Sequence, residues 1–245
     1  MNEIIINPVY GLCNRLRFMF SFIKRLKDNK KLKNNKIIIL WENNEQCNGN
    51  YLDYFKKINK NIEFIKINSN YNKDKGIVSC SVIEEYKNKN YLYNNYPLLN
   101  KYISKKIKNI IYELKNDYIA IHIRRGDLDE HLKAKNIYHK RTKDEDFINF
   151  IKKNNKSNLY IATDCKKTQE YFLSKFKDKI KYMKNITYEK NIKKTNLEDA
   201  IIDLYLCVCS KKFKGTWYSS YSYFIDLLRK NVDSNDPLEC LKKFS

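Results

Sequence analysis

Short apolar runs separated by polar stretches rich in lysine and asparagine set the rhythm of the chain. Glu3–Asn7 (EIIIN), Lys36–Trp41 (KIIILW), Ile62–Ile67, Ile77–Cys80, Tyr118–Ile123 (YIAIHI) and Leu159–Ala162 are brief and mostly rich in isoleucine, a pattern that predicts buried β-strands. Between them the apolar spacing lengthens to three or four. Leu16, Met19, Phe20, Ile23 and Leu26 predict a helix that Asn14 can cap and that runs to about Asp28. Further helices are predicted over Leu98–Leu114, Asp144–Lys153, Lys167–Phe176, Leu197–Cys209 and about Ser220–Lys230, with a short one at Asn50–Lys57. Ile180–Met183 and Lys211–Lys214 read as short strands, residues 128–142 as a polar loop, and the chain after 230 as a tail.

Strands that alternate with helices imply parallel sheets with crossover helices. The pattern starts afresh at Tyr118, after the long helix. The expected fold class is therefore α/β, with two small Rossmann-like halves, 1–115 and 116–245. No stretch approaches the ~18 uninterrupted apolar residues of a membrane span. No short internal repeat is evident.

Charge adds less than its size suggests. The 245 residues carry a formal net charge of +21, which raises nucleic acid as a ligand. The lysines are dispersed (KRLKDNKKLKNNK, FKKINKN, KKIKN) rather than focused in one stripe, which is the pattern of solvated faces. Neither zinc-finger spacing nor an RNA-binding aromatic signature is present. The seven cysteines include no C-x-x-C pair, so a zinc site or thioredoxin-type motif is not expected. The N-terminus lacks the basic and long apolar regions of a signal peptide. Reduced thiols in a cytoplasmic setting are the expectation.

Scarce residues are more informative. Only seven of the 49 basic residues are arginine (15, 17, 25, 124, 125, 141, 229), and only five residues are glycine. Three blocks concentrate them. Gly11-Leu12-Cys13-Asn14-Arg15-Leu16-Arg17 follows a strand and opens a helix, whose free N–H groups suit an anion or form a plain turn. It matches neither G-x-G-x-x-G nor the P-loop. His122-Ile123-Arg124-Arg125-Gly126-Asp127 ends a buried strand. Alternation puts His122 and Arg124 on one face and Arg125 on the other. Two arginines at such a strand end need anions, either a ligand phosphate or partner carboxylates. Gly215-Thr216-Trp217-Tyr218-Ser219-Ser220-Tyr221-Ser222 is a hydroxyl-rich turn into a helix, fit for phosphate oxygens or ordinary capping. Asp199 and Asp203 lie four apart on one apolar helix, where they would form core ion pairs or accept from a nucleobase.

GLCNRLR, IAIHIRRGD, LYIATDC and EDAIIDLYLCVCSKKFKGTWYSSYS, in this order over about residues 3–229, resemble the fucosyltransferase superfamily that includes α-1,6-fucosyltransferases, Nod-factor fucosyltransferases and protein O-fucosyltransferases. The resemblance implies a GT-B-like fold, two Rossmann-like domains facing a cleft, with the second domain holding GDP-fucose. It implies inverting transfer to a glycan acceptor without an obligatory metal. Arg124 then resembles the essential arginine on the donor β-phosphate, with His122 beside it and Arg125 in support. Ser220, with neighbours Ser219 and Ser222, resembles the phosphate-binding serine. Asp203 resembles the acid that reads the guanine edge. Thr163 and Asp164 match the block lining the donor pocket, and Gly11 and Asn14 the N-terminal loop that closes over it. Cys165 stands where relatives often carry a second acid. Asp127, Glu42 and Glu45 are candidates for the general base. The alternatives are a non-catalytic nucleotide- or carbohydrate-binding protein and a nucleic-acid-binding module.

Overall fold

The computed structural model describes residues 2–31, 35–67, 77–79, 97–180, 188–189, 192–193, 196–230, 232 and 234–245. Two parallel sheets organise them. The first has the order β3-β2-β1-β4, built from β1 (Asn2–Pro8), β2 (Asn35–Glu42), β3 (Ile62–Ile67) and β4 (Ile77–Ser79). The second has the order β6-β5-β9, from β5 (Tyr118–Ile123), β6 (Asn158–Thr163) and β9 (Lys212–Lys214). Both are parallel at every pairing. A two-stranded antiparallel pair, β7 (Tyr188–Glu189) with β8 (Ile192–Lys193), lies outside the sequence expectation. Mixed α/β architecture with parallel sheets is what the alternating pattern required.

The strand order has a direct consequence. In the first sheet the chain leaves β1 for β2 on one side, and β4 later pairs on the other. In the second it leaves β5 for β6 on one side, and β9 pairs on the other. The carboxyl ends of β1 and β5 are thus both topological switch points, where open parallel sheets form ligand crevices. The Gly11 block follows β1 and the His122–Asp127 block ends β5.

Helices α1 (Leu12–Asp28), α2 (Lys101–Glu113), α3 (Leu128–Ala134), α4 (Asp144–Lys153), α5 (Lys166–Phe176), α6 (Leu197–Cys209), α7 (Ser220–Arg229) and α8 (Pro237–Lys242) complete the fold. Leu16, Met19, Phe20 and Ile23 bury the face of α1 that their spacing predicts. Ten of the thirteen residues of α6 are buried, as expected of a helix apolar all round. It packs against α2, α7, α8 and the second sheet. One continuous apolar cluster runs from Ile6, Leu16 and Trp41 through Ile103 and Ile107 to Tyr118, Leu204 and Phe224. Phe147, Ile151 and Phe172 pack on the other face of the second sheet with Ile121 and Ile123.

Several boundaries differ from the sequence reading. α1 starts at Leu12, with Gly11 as its N-cap, so Asn14 sits within the first turn. The expected loop 128–142 contains α3, which buries Leu128 and Leu132, and a 3-10 turn over Tyr138–Lys140. The expected helix Asn50–Lys57 is only a 3-10 turn over Tyr51–Asp53. The expected tail folds into α8, capped by the Asp236 carboxylate and started by Pro237. Of the expected strand Ile180–Met183, all but Ile180 lies outside the described residues, as does Cys80.

Candidate active site

A cleft of about 170 Å³ lies where the two switch points meet. Gly11 and Leu12 line it from the β1–α1 loop, and Gln46, Cys47 and Asn48 from the segment after β2. The second sheet supplies His122, Arg124, Thr163 and Asp164, and the α6–α7 region supplies Asn196, Leu197, Ala200, Asp203 and Tyr221. Arg124 is the one cation among these lining residues.

Arg124 is held by two carboxylates. Its Nε lies 3.1 Å from Asp164 Oδ2 and its Nη2 donates to Asp127 Oδ1 at 2.6 Å. Nη1 has no partner among the described residues. Asp164 Oδ1 also accepts from the Arg125 backbone N–H at 2.8 Å. The carboxylate therefore clamps the turn after β5 as well as the guanidinium. That turn must be glycine at 126, since a Cβ there would stand 2.6 Å from Asp164 Oδ2. Burial alone would raise the Asp127 carboxyl, but the Arg124 charge and hydrogen bond override it and hold the pKa below the usual value. Asp127 is accordingly a poor proton acceptor at neutral pH.

His122 sits beside Arg124 on the same strand face, 7% exposed. Its Nδ1 is 2.7 Å from Ser222 Oγ, and its ring stacks on Tyr221 at 4.6 Å. Ser222 Oγ already accepts from the Thr216 backbone N–H at 2.9 Å. The hydroxyl thus joins the His122 ring to the backbone of the third block. Thr216 Oγ1 donates to the His122 carbonyl and accepts from the Arg124 N–H, both at 2.9 Å. The third block is thereby sewn to the end of β5. Gly215 makes this possible, because a Cβ there would lie 2.6 Å from Ser222 Cβ.

The three serines differ. Ser219 caps α7 and accepts from Ser222 N–H. Ser222 is occupied as described. The Ser220 hydroxyl, in the first turn of α7, has no partner among the described residues. Asp203 is 6% exposed and accepts from the Tyr160 hydroxyl at 2.5 Å. Burial, then the Asp203 charge, pushes the Tyr221 hydroxyl well up, so it stays protonated and donates to the Ala200 carbonyl. Thr163 Oγ1 donates to the Ile123 carbonyl at 2.8 Å, tying β6 to the end of β5.

Other predicted residues lie elsewhere. Arg125 turns away from the cleft, as strand alternation demands. It is 7% exposed, pairs with Asp144 at 2.5 Å and lies over the Phe147 ring at 5.9 Å. Asn14 does not line the cleft and accepts from Arg17 at 3.4 Å. Glu42 is buried and Glu45 exposed, and neither lines the cleft. Arg15 is fully buried, with Nε donating to the Tyr10 carbonyl at 2.6 Å, Nη1 to the Glu42 carbonyl and Nη2 to Asn44 Oδ1 at 3.1 Å. It braces the segment that carries Gln46–Asn48 rather than meeting a ligand. Cys47 lines the cleft, but burial pushes its thiol up to about 11, against the pull of Arg15. It is a neutral thiol at pH 7. Tyr160, Thr216 and Tyr221 were not singled out from sequence. Thr216 and Tyr221 lie inside the third block, and Tyr160 three residues before Thr163.

Comparison with known proteins decides the family. A sequence model described as GDP-fucose protein O-fucosyltransferase matches residues 15–231, most of the chain. The chain belongs to the O-fucosyltransferase family. No curated protein matches in sequence. Among solved structures, a NodZ α-1,6-fucosyltransferase co-crystallized with GDP is similar to this O-fucosyltransferase family member, with 12% identity, 92% of each chain covered and a TM-score of 0.57. Fucosyltransferase NodZ from Bradyrhizobium gives 12% identity, 92% of each chain and 0.56. A NodZ α-1,6-fucosyltransferase soaked with GDP-fucose gives 12% identity, 93% of this chain and 92% of that one, and 0.53. At that identity the likeness shows the fold, which is GT-B-like. No helix among the described residues is long and apolar enough to cross a membrane.

Proposed function

We propose that the protein is an inverting fucosyltransferase that moves fucose from GDP-fucose to a glycan acceptor without a metal. The observation that carries this reading is the cleft arginine with an unengaged Nη1, at a switch point, in a chain of this family. The NodZ structures crystallized with GDP and soaked with GDP-fucose support the donor.

Breaking the bond between C1 of the sugar and the β-phosphate leaves extra negative charge on the diphosphate. Fixed donors aimed at that charge lower the barrier, and each is worth about 2.7–4 kcal/mol. Arg124 Nη1 is the first such donor. The Ser220 hydroxyl and the free N–H groups in the first turn of α7 are the second set. His122 stands beside Arg124 on the cleft wall, held by Ser222 and stacked on Tyr221. Asp203 accepts from the N–H groups on the guanine edge, with its position fixed by Tyr160. Thr163, Asp164 and Gly11 shape the pocket, and Arg125, Ser219 and Ser222 position their neighbours. Residues 1–115 form the acceptor side and 116–245 the donor side. The six described cysteines are all free thiols, which supports a reducing, cytoplasmic setting.

Calorimetry with GDP-fucose and GDP, followed by detection of GDP release with glycan acceptors, tests the reading. Binding and turnover that persist in EDTA are the expected result. Absence of binding to any GDP-sugar overturns it, and binding without turnover across a glycan array would favour a binding protein.

A further inference from the structure

Six described residues other than glycine have a positive φ: Tyr10, Lys30, Lys115, Asn116, Asn136 and Tyr218. Four of them follow the ends of α1, α2 and α3, where a left-handed residue closes off a helix. Tyr10 and Tyr218, each with φ 66, do not. They stand before α1 and α7, in the loops that carry the first and third blocks. A bulky residue in this region is strained, and such strain concentrates at ligand clamps.

Both tyrosines are also poorly covered, at 54% and 45% exposure, and Trp217 beside Tyr218 is 41% exposed. The Trp217 and Tyr218 rings touch at 5.1 Å between centroids. Their setting is fixed. The Trp217 backbone N–H donates to Thr142 Oγ1 at 2.8 Å, and Lys135 Nζ donates to the Tyr218 hydroxyl at 3.1 Å. The Tyr10 carbonyl is pinned by buried Arg15. Each loop continues straight into the cleft: Gly11 lines it, and Thr216 bonds to the Arg124 backbone. Among the described residues Tyr218 meets the fold through surface neighbours, Lys135 on its hydroxyl and His131 at 5.8 Å from its ring, so these exposed, strained positions add little to the core.

We propose that Trp217, Tyr218 and Tyr10 form the acceptor platform, and that the acceptor stacks sugar rings on them. This rests on the donor reading of the cleft, and it extends the acceptor side from residues 1–115, which give Tyr10, to the rim of 116–245, which gives Trp217 and Tyr218. The flat faces of the rings match the C–H face of a pyranose, while the tyrosine hydroxyls and Lys135 meet sugar hydroxyls. Lys135, His131 and Thr142 border the Trp217–Tyr218 pair, which suits a carbohydrate better than a hydrophobic protein face.

The protein has two tryptophans, and Trp41 is buried at 1% exposure, so acrylamide quenching of fluorescence reports on Trp217. The probes are neutral tetrasaccharides of glucose, N-acetylglucosamine, mannose and galactose, and a Ser/Thr-rich peptide. At least one tetrasaccharide should shield Trp217, and Tyr218→Gly and Tyr10→Gly should weaken that shielding tenfold or more. Glycine takes a positive φ without strain, which offsets the entropy that it adds to the unfolded chain, and thermal melts check that both variants fold. In turnover the same variants should raise the acceptor KM tenfold or more, with GDP affinity within twofold of the parent. Three results would overturn the platform: no tetrasaccharide shields Trp217, only the peptide does, or GDP affinity falls in step with KM. Failure of the parent to bind GDP or GDP-fucose would sink the donor reading instead, and quenching would still decide the platform.

Discussion

Asp164 Oδ2 lies 3.1 Å from Arg124 Nε, and the same carboxylate takes the Arg125 backbone N–H on its other oxygen. One acid thus fixes both the direction of the cleft arginine and the turn that presents it. The Arg124 and Asp164 variants should differ in kind. Arg124→Ala removes a donor to the leaving diphosphate and should lower kcat about 100–1000-fold with the fold intact. Asp164→Asn keeps the backbone bond but frees the guanidinium, and a fall of roughly 10–100-fold is expected from misplacement alone. Steady-state kinetics with circular dichroism as the folding control separates the two.

Glycine at 126 and 215 answers to side chains rather than to backbone angle. Gly126→Ala would push on Asp164 Oδ2 and should resemble Asp164→Asn in kinetics. Gly215→Ala would drive a methyl against Ser222 and should cost about 1–3 kcal/mol in stability. For a chain of this size that is a drop in Tm of roughly 2–12 °C. Differential scanning calorimetry reads it directly.

Arg15→Met leaves the Tyr10 and Glu42 carbonyls without this donor in a buried site, while Asn44 Oδ1 keeps the Gln46 and Cys47 N–H groups. A loss of about 3 kcal/mol or more is expected. Arg15→Lys should recover little of it, because one ammonium cannot reach three acceptors set in different directions. Chemical denaturation of both variants checks this.

The N-cap of α8 carries a pH signature. Backbone N–H bonds from Glu239 first, and then the Asn116 amide and Leu238 N–H, lower the Asp236 pKa. A depressed carboxylate contributes stability above its unfolded pKa of about 3.9, and loses it as pH falls through the lower folded value. Asp236→Ala should therefore cost about 1 kcal/mol at pH 7, with a smaller gap between variant and parent at pH 3. Melting curves at the two pH values give the comparison.

Much of this was legible in the sequence. Isoleucine-rich runs placed β1, β2, β3 and β5, and the restart at Tyr118 marked the second sheet. Strand alternation alone separates Arg124 from Arg125. Other features were not legible for physical reasons. The burial of Arg15 depends on the carbonyls of Tyr10 and Glu42, and a backbone acceptor leaves no mark on residue identity. Helix α3 presents only Leu128 and Leu132 to the core, too short a period to stand out from a polar stretch. The signal for α8, an aspartate before a proline, was present but followed a polar run that reads as tail. The divergent duties of Ser219, Ser220 and Ser222 follow from distances that identical side chains cannot announce.

The apolar cluster that passes without a break from α1 through α6 to β5 carries a consequence for how the molecule comes apart. Its two sheets share their interior, so neither can lose its packing while the other keeps its own. Heating should give one sharp transition, with calorimetric and van't Hoff enthalpies in agreement. A fragment ending near residue 115 would then expose Leu16, Ile103 and Ile107 to water and should aggregate rather than fold.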